Sequence, residues 1–240
     1  MHILLLIAGL LATAPAADGK ELEVLFIGNS FTEMNELPWM VLAMARSDAI
    51  PMRYEQVTSG GMTLEQHWAG GKGEAIARIA SRKWDWVVLQ EHSQRPLDEP
   101  GKLTEFARLF DAKIKARGAR TLLYVTWPRK NAPENQVKVT RTYAALAKEL
   151  GATLAMVGPA RQRSQQARPD VELYDEDGHH PSPFGTWLAA LVFHQALHGK
   201  PPRSPPKKIS LMGTVLVDFE TTDAGPALEL MPFLQKIAAQ

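Results

Sequence analysis

Two short stretches hold the residues best suited to covalent chemistry. In Gly28-Asn29-Ser30-Phe31-Thr32 a serine follows an apolar run and opens a segment with helical spacing. In Tyr174-Asp175-Glu176-Asp177-Gly178-His179-His180-Pro181 a carboxylate stands three residues before a histidine. Within a turn, that spacing lets Asp177 accept from one ring nitrogen of His180 and fix its tautomer. The other nitrogen is then free to take a serine proton. A serine hydroxyl is a weak nucleophile without such a base. Ser30, at the start of a helix, also gains from the positive end of the helix dipole, which favours an oxyanion. Acyl transfer further needs N–H donors aimed at the oxygen where charge develops. Gly61, in Ser59-Gly60-Gly61-Met62-Thr63, permits close backbone approach and positive φ. Gln94, in Gln90-Glu91-His92-Ser93-Gln94-Arg95-Pro96, brings a side-chain amide.

These blocks are far apart in the chain, so a fold must gather them. Five runs have the apolar, non-alternating character of strands covered on both faces: Glu23–Gly28, Met52–Thr58, Trp84–Gln90, Thr121–Trp127 and Ala152–Gly158. Helical spacing fills the gaps. Leu103, Phe106, Phe110 and Ile114 share one face before Gly118, and Val139, Tyr143, Leu146 and Leu150 share another before Gly151. Residues 35–49 and 74–82 supply the earlier helices. Ser182-Pro183 is an N-cap with proline at the first helical position, opening a helix that runs to His198. Strand alternating with helix predicts an α/β fold: a flavodoxin-like three-layer α/β/α sandwich on a five-stranded parallel sheet, order 2-1-3-4-5. Ligands of such sheets bind at the carboxyl ends of the strands, where the order reverses. With strand 1 between strands 2 and 3, Ser30, Gly61 and Gln94 meet at one edge. Residues 199–208 read as a surface loop, 209–218 as an edge strand or packed coil, and 226–239 as a closing amphipathic helix.

The blocks and their order resemble the SGNH (GDSL-type) hydrolases, a family of serine esterases and lipases. That family carries Gly-Asp-Ser after strand 1, a glycine after strand 2, Gly-x-Asn-Asp after strand 3 and Asp-x-x-His-Pro near the C-terminus. Here Gly28-Asn29-Ser30 has Asn for Asp, Gly61 is present, and Asp177-Gly178-His179-His180-Pro181 keeps the last block intact. The likeness runs from about Glu23 to the helix after Pro181. It implies Ser30 as nucleophile, His180 as base, Asp177 as its orienting partner, and Ser30, Gly61 and a third residue as the oxyanion hole. The third block departs from the pattern. Alignment puts His92 at the family's Gly and Gln94 at its Asn, with Gln90 at the strand end as the alternative amide.

Other residues at this edge are weighed more lightly. Glu176 stands three before His179 and makes it a rival base. Asn29 reads first as turn chemistry. With Trp127, which ends strand 4 and could stack on a sugar, and His67, which follows the Gly61 loop, it makes up the candidate substrate contacts. Trp84, Trp86 and Trp187 read as core. Asp175, Asp177, His179 and His180 form the one cluster that suggests a divalent cation and hence a metal-dependent hydrolase. A catalytically weak binding module on the same scaffold is the third reading.

Composition narrows the field. The 240 residues suit one domain, taken as 17–240, and no cofactor is called for. With 27 Lys and Arg against 26 acids the net charge is +1, which offers nucleic acid or an anionic membrane no strong attraction. No cysteine is present, so thiol nucleophiles, disulfides and zinc-thiolate sites are excluded. Residues 3–11 are an apolar run too short to span a bilayer. Ala14-Pro15-Ala16 after it has the small-x-small form of a signal-peptidase site. The expectation is therefore a signal peptide over 1–16 and a periplasmic or secreted protein without stable membrane insertion. Its partner would be a small-molecule or carbohydrate ester, and the sequence leaves the acyl length and oligomeric state open.

Overall fold

The chain alternates strand and helix from its first described element. A computed structural model of the protein describes residues 20–70, 74–220 and 227–240; the expected signal peptide lies outside them. In chain order, β1 (Leu22–Gly28) leads to α1 (Ser30–Glu33) and α2 (Leu37–Ser47), and β2 (Met52–Thr58) to α3 (Leu64–Trp68) and α4 (Glu74–Ser81). Next, β3 (Trp86–Leu89) precedes α5 (Arg95–Asp98) and α6 (Pro100–Ala116), and β4 (Arg120–Tyr124) precedes α7 (Gln136–Leu150). After β5 (Thr153–Ala155) come α8 (Val157–Ala167) and α9 (Pro183–His198), then β6 (Lys208–Leu211), β7 (Thr214–Asp218) and α10 (Ala227–Ala238).

The first five strands form one parallel sheet in the order β2-β1-β3-β4-β5. This is the expected flavodoxin-like topology. Side chains alternate across β1 with the two-residue period of a strand. Val24 and Phe26 enter the core shared with α2, α8 and α9, while Leu25 and Ile27 enter the core shared with α3, α4, α6 and α7. All four are wholly buried, which is why the run reads as continuous rather than alternating hydrophobicity.

The boundaries moved where local pattern was outweighed. The run Ala152–Gly158 contains only a three-residue strand, because helix α8 already begins at Val157. The third strand is likewise shorter than Trp84–Gln90, with Trp84 packed into the core beside it. Residues 209–218 are neither a sheet edge nor coil. They form an antiparallel β6–β7 hairpin that buries Ile209 and Val217 against the α2/α9 layer. Trp39 and Trp187 hold it there, their indole N–H groups donating to the Ser210 and Pro206 carbonyls. Trp84, Trp86 and Trp187 are core residues, as their sequence setting indicates. Among the described residues no helix is long and apolar enough to cross a membrane.

Two register facts position the site. Gly28 pairs with Thr58 of β2, and Ile27 pairs with Leu89 of β3. The loops after β2, β1 and β3 therefore emerge side by side at the carboxyl edge of the sheet, with the β1 loop in the middle.

Candidate active site

The β1 loop is built around a polar lock. Gln90, wholly buried at the end of β3, accepts from the Asn29 N–H at 2.7 Å and from the Thr32 hydroxyl at 3.0 Å. Its amide nitrogen donates to Asn29 Oδ1 at 2.9 Å and to the Glu91 carbonyl at 2.6 Å. Asn29 Oδ1 also caps α1 by accepting from Phe31 N–H, and its Nδ2 donates to the Met62 carbonyl at 2.8 Å. One asparagine thus joins the loops of β1, β2 and β3. The lock leaves no room beside Gly28. A Cβ there would lie 2.5 Å from Gln90 Oε1 and 2.6 Å from the Thr32 hydroxyl oxygen, so the position requires glycine.

Ser30, the next residue, opens α1, where its N–H has no carbonyl within the helix to bond. Its Oγ lies 2.9 Å from His180 Nε2. His180 Nδ1 lies 2.5 Å from Asp177 Oδ2, and Asp177 Oδ1 accepts from the N–H groups of His179 at 2.8 Å and His180 at 2.9 Å. Burial alone would raise the Asp177 pKa. The hydrogen bonds from the His180 ring and from the two backbone N–H groups outweigh it and hold the carboxyl down to about 2. A carboxylate fixed in this way requires the proton on His180 Nδ1 and leaves Nε2 to accept from Ser30.

The histidine loop is held on several sides. The Asp175 N–H donates to the His180 carbonyl, Lys130 N–H to Gly178, and Asn35 Nδ2 to Pro181. Trp127 donates its indole N–H to the His179 carbonyl at 3.1 Å. Trp127 is itself sandwiched, with Phe31 stacked on it at 4.5 Å and the buried Arg161 guanidinium 4.0 Å from its ring. Arg161 also covers Tyr174 and donates to the Leu173 carbonyl; burial draws its pKa down to about 10.

A cavity of about 310 Å³ opens over Ser30 and His180. Its wall comprises Asn29 and Phe31 from the β1 loop, Gly60 and Gly61 from the β2 loop, His92 and Ser93 from the β3 loop, and His179. Gly61 has φ +70°, the left-handed conformation expected of it, and its N–H makes no backbone hydrogen bond to the described residues. Burial, together with the charges of His180 and Arg129, pushes the His179 pKa down to about 4, so that ring stays neutral. A second recess of about 300 Å³ is lined by Arg129, Lys130, Asn131, Glu176, Asp177 and Gly178, and the Asp177–His180 hydrogen bond links its wall to that of the first.

No sequence-family profile matches the chain, and neither does any curated protein. Solved structures do. A protein provisionally assigned as an SGNH hydrolase, from Slackia heliotrinireducens, is 29% identical over 74% of this chain and 99% of its own, with a TM-score of 0.63. In fold and in sequence the chain is similar to the SGNH hydrolases. A DUF4886-family protein from Bacteroides uniformis is 18% identical, covering 92% of this chain and 94% of its own, with a TM-score of 0.70. An acetylxylan esterase from Geobacillus stearothermophilus is 17% identical, covering 78% of this chain and 98% of its own, with a TM-score of 0.63.

In this SGNH fold the expected residues part company. Ser30, His180 and Asp177 form one hydrogen-bonded line, and Gly61 shares their cavity. Neither glutamine reaches it. Gln90 has both amide hydrogens and its oxygen committed to the lock. Gln94 is absent from the cavity wall, because the turn after β3 brings Ser93 there instead, and its amide nitrogen is buried without a partner among the described residues.

Two of the candidate substrate contacts lie beneath the surface. Trp127 is 1% exposed, and His67, also 1% exposed, lies with its Nε2 2.8 Å from the Gly28 carbonyl. Both brace the loops and neither lines the cavity. Asn29 does line it, but its side chain serves the lock. His179 makes no side-chain hydrogen bond to Ser30. Asp177 spends both oxygens on the histidine turn, and no group of three His, Asp or Glu among the described residues is arranged to hold a metal ion. Sequence reasoning missed Ser93, Phe31 and Arg161. Phe31 sits in the Ser30 motif itself and was signalled by position, whereas Arg161 looks like any helical arginine.

Proposed function

We propose that this chain is an exported serine esterase that removes small O-acyl groups, acetyl foremost, from a carbohydrate or other small-molecule alcohol. The observation that carries the proposal is the unbroken line from Ser30 Oγ through His180 to Asp177, at 2.9 Å and 2.5 Å. Ser30 Oγ attacks the ester carbonyl carbon while His180 Nε2 takes its proton. The carbonyl oxygen becomes an oxyanion that accepts from the N–H groups of Ser30 and Gly61. Collapse breaks the bond to the alcohol oxygen, which leaves with the proton from His180, and the acyl group stays on Ser30. Water, deprotonated by the same nitrogen, then releases the carboxylic acid.

The substrate class is argued from size and polarity. A cavity of about 310 Å³ is at the small end for ligand sites, which favours a short acyl chain. The second recess is lined by charged and amide side chains, suited to a hydroxylated alcohol. The Geobacillus neighbour, an acetylxylan esterase, supports the same class. Export rests on the apolar run and the Ala14-Pro15-Ala16 sequence.

A fluorophosphonate probe should label the wild-type protein. Ser30→Ala should abolish labelling and lower hydrolysis of p-nitrophenyl acetate by at least about 10³-fold. Ester hydrolysis at the wild-type rate in that variant would reject the mechanism. Mass spectrometry of the protein recovered from the periplasm or medium should find a new N-terminus near Ala17.

A further inference from the structure

The β3 loop contributes a polar group that the mechanism above leaves idle. Ser93 is 2% exposed and lines the cavity with Ser30 and Gly61. Its hydroxyl is buried, and among the described residues it has no hydrogen-bond partner. Buried hydroxyls are ordinarily paired, so one left free at a cavity wall points to a partner that arrives with the ligand. The sheet gives that partner a position. Because β1 lies between β2 and β3, the Gly61 loop flanks Ser30 on one side and the Ser93 turn flanks it on the other. The turn is fixed rather than loose: the wholly buried Glu91 carboxylate accepts from His92 N–H at 2.6 Å and from Leu64 N–H of α3 at 3.2 Å. The two flanks of Ser30 are thereby tied to each other. Neither nearby glutamine competes for the role, since Gln90 is spent in the lock and Gln94 is away from the wall.

We propose that the Ser93 hydroxyl is the third oxyanion donor, closing from the β3 side the cradle that Ser30 and Gly61 form from the other. The assignment rests on Ser30 as nucleophile. The hydroxyl keeps its proton throughout. It donates a hydrogen bond to the carbonyl oxygen as that oxygen becomes negative, and no bond of Ser93 is made or broken. Such a donor acts in the transition state more than on the bound ester.

The test compares wild type, Ser30→Ala and Ser93→Ala. Rates of wild type and Ser93→Ala are expressed per site titrated by a fluorophosphonate so that inactive protein does not count, and that of Ser30→Ala per mole of folded protein. Ser93→Ala should lower kcat on p-nitrophenyl acetate by about 10²-fold, the usual effect of removing one oxyanion donor. KM should stay within about threefold. Inhibition by methylboronic acid, which forms a tetrahedral adduct on the nucleophile, should weaken by a similar factor, while inhibition by acetate should not. A kcat within about twofold of wild type, or equal weakening of boronate and acetate, would overturn the role of Ser93. If Ser30→Ala were inert in the first of those cases, the nucleophile would stand and only the Ser93 assignment would fall. An active Ser30→Ala would overturn both.

Discussion

Replacing Glu91 by glutamine should stabilise this protein at alkaline pH and flatten its stability across the neutral range. Glu91 is wholly buried; its Oε1 accepts from Leu64 and His92 N–H, and its Oε2 has no partner among the described residues. Burial raises its pKa from 4.5 to about 7, against the opposing pull of those two N–H groups and Arg95. The native state therefore holds a proton that the unfolded chain has released between about pH 4.5 and pH 7. Its stabilising share is complete below the lower value and is lost as pH rises through the upper one. A shift of this size corresponds to about 3 kcal/mol. Glutamine keeps the Oε1 acceptor and never ionises, but its extra amide hydrogen needs an acceptor at a cost of about 1 kcal/mol. The net gain at pH 8 is about 2 kcal/mol, or about 4–8 °C in Tm for a domain of this size. Urea melts of both proteins from pH 5 to pH 8.5 would measure it. A Glu91→Gln variant less stable than wild type at pH 8, or the same pH slope in both, would refute the argument that Glu91 is held in a dry, unpaired setting.

Three further outcomes follow from the same contacts. Asp177→Asn should leave the loop folded but present an amide N–H to His180 Nδ1, forcing the wrong tautomer; kcat on p-nitrophenyl acetate should fall by about 10³–10⁴-fold with little change in melting temperature. Asn29→Asp should lose the donation to the Met62 carbonyl and bring a charge beside Gln90, destabilising the fold by about 2–3 kcal/mol in urea melts. Arg161→Met should remove the guanidinium from the faces of Trp127 and Tyr174 and its bond to Leu173, costing about 2 kcal/mol. By loosening the His179–His180 backbone above it, the same change should lower kcat more than it alters KM, which steady-state kinetics would show.

What the sequence made legible is what is decided locally. The β1 run, the Ser30 turn and the Asp177–His180 turn are each contained within about eight residues, and strand-helix alternation with right-handed crossovers leaves few sheet orders. The third block was opaque because Gln90, Ser93 and Gln94 differ only in where a five-residue turn points them. That turn is fixed by Glu91 reaching across to α3. Trp127 looked like a rim residue because it ends the fourth apolar run. The backbone instead continues past Tyr124, with Val125 N–H donating to Ala155 and Gly158 N–H to Val125, and takes the tryptophan under the histidine loop. His67 could not be placed because its partner, the Gly28 carbonyl, belongs to a distant strand. The β6–β7 hairpin was missed for a similar reason, since its apolar residues are sparse and its support comes from Trp39 and Trp187.

The lock between Asn29 and Gln90 has a consequence for how such chains can diverge. Gln90 donates to Asn29 Oδ1 and accepts from the Asn29 backbone N–H, so exchanging either side chain alone strands buried polar atoms. Drift at one of the two sites should therefore be permitted only when the other changes in the same lineage. Among homologues of this chain, an acid at the position of Asn29 should be found without glutamine at the position of Gln90.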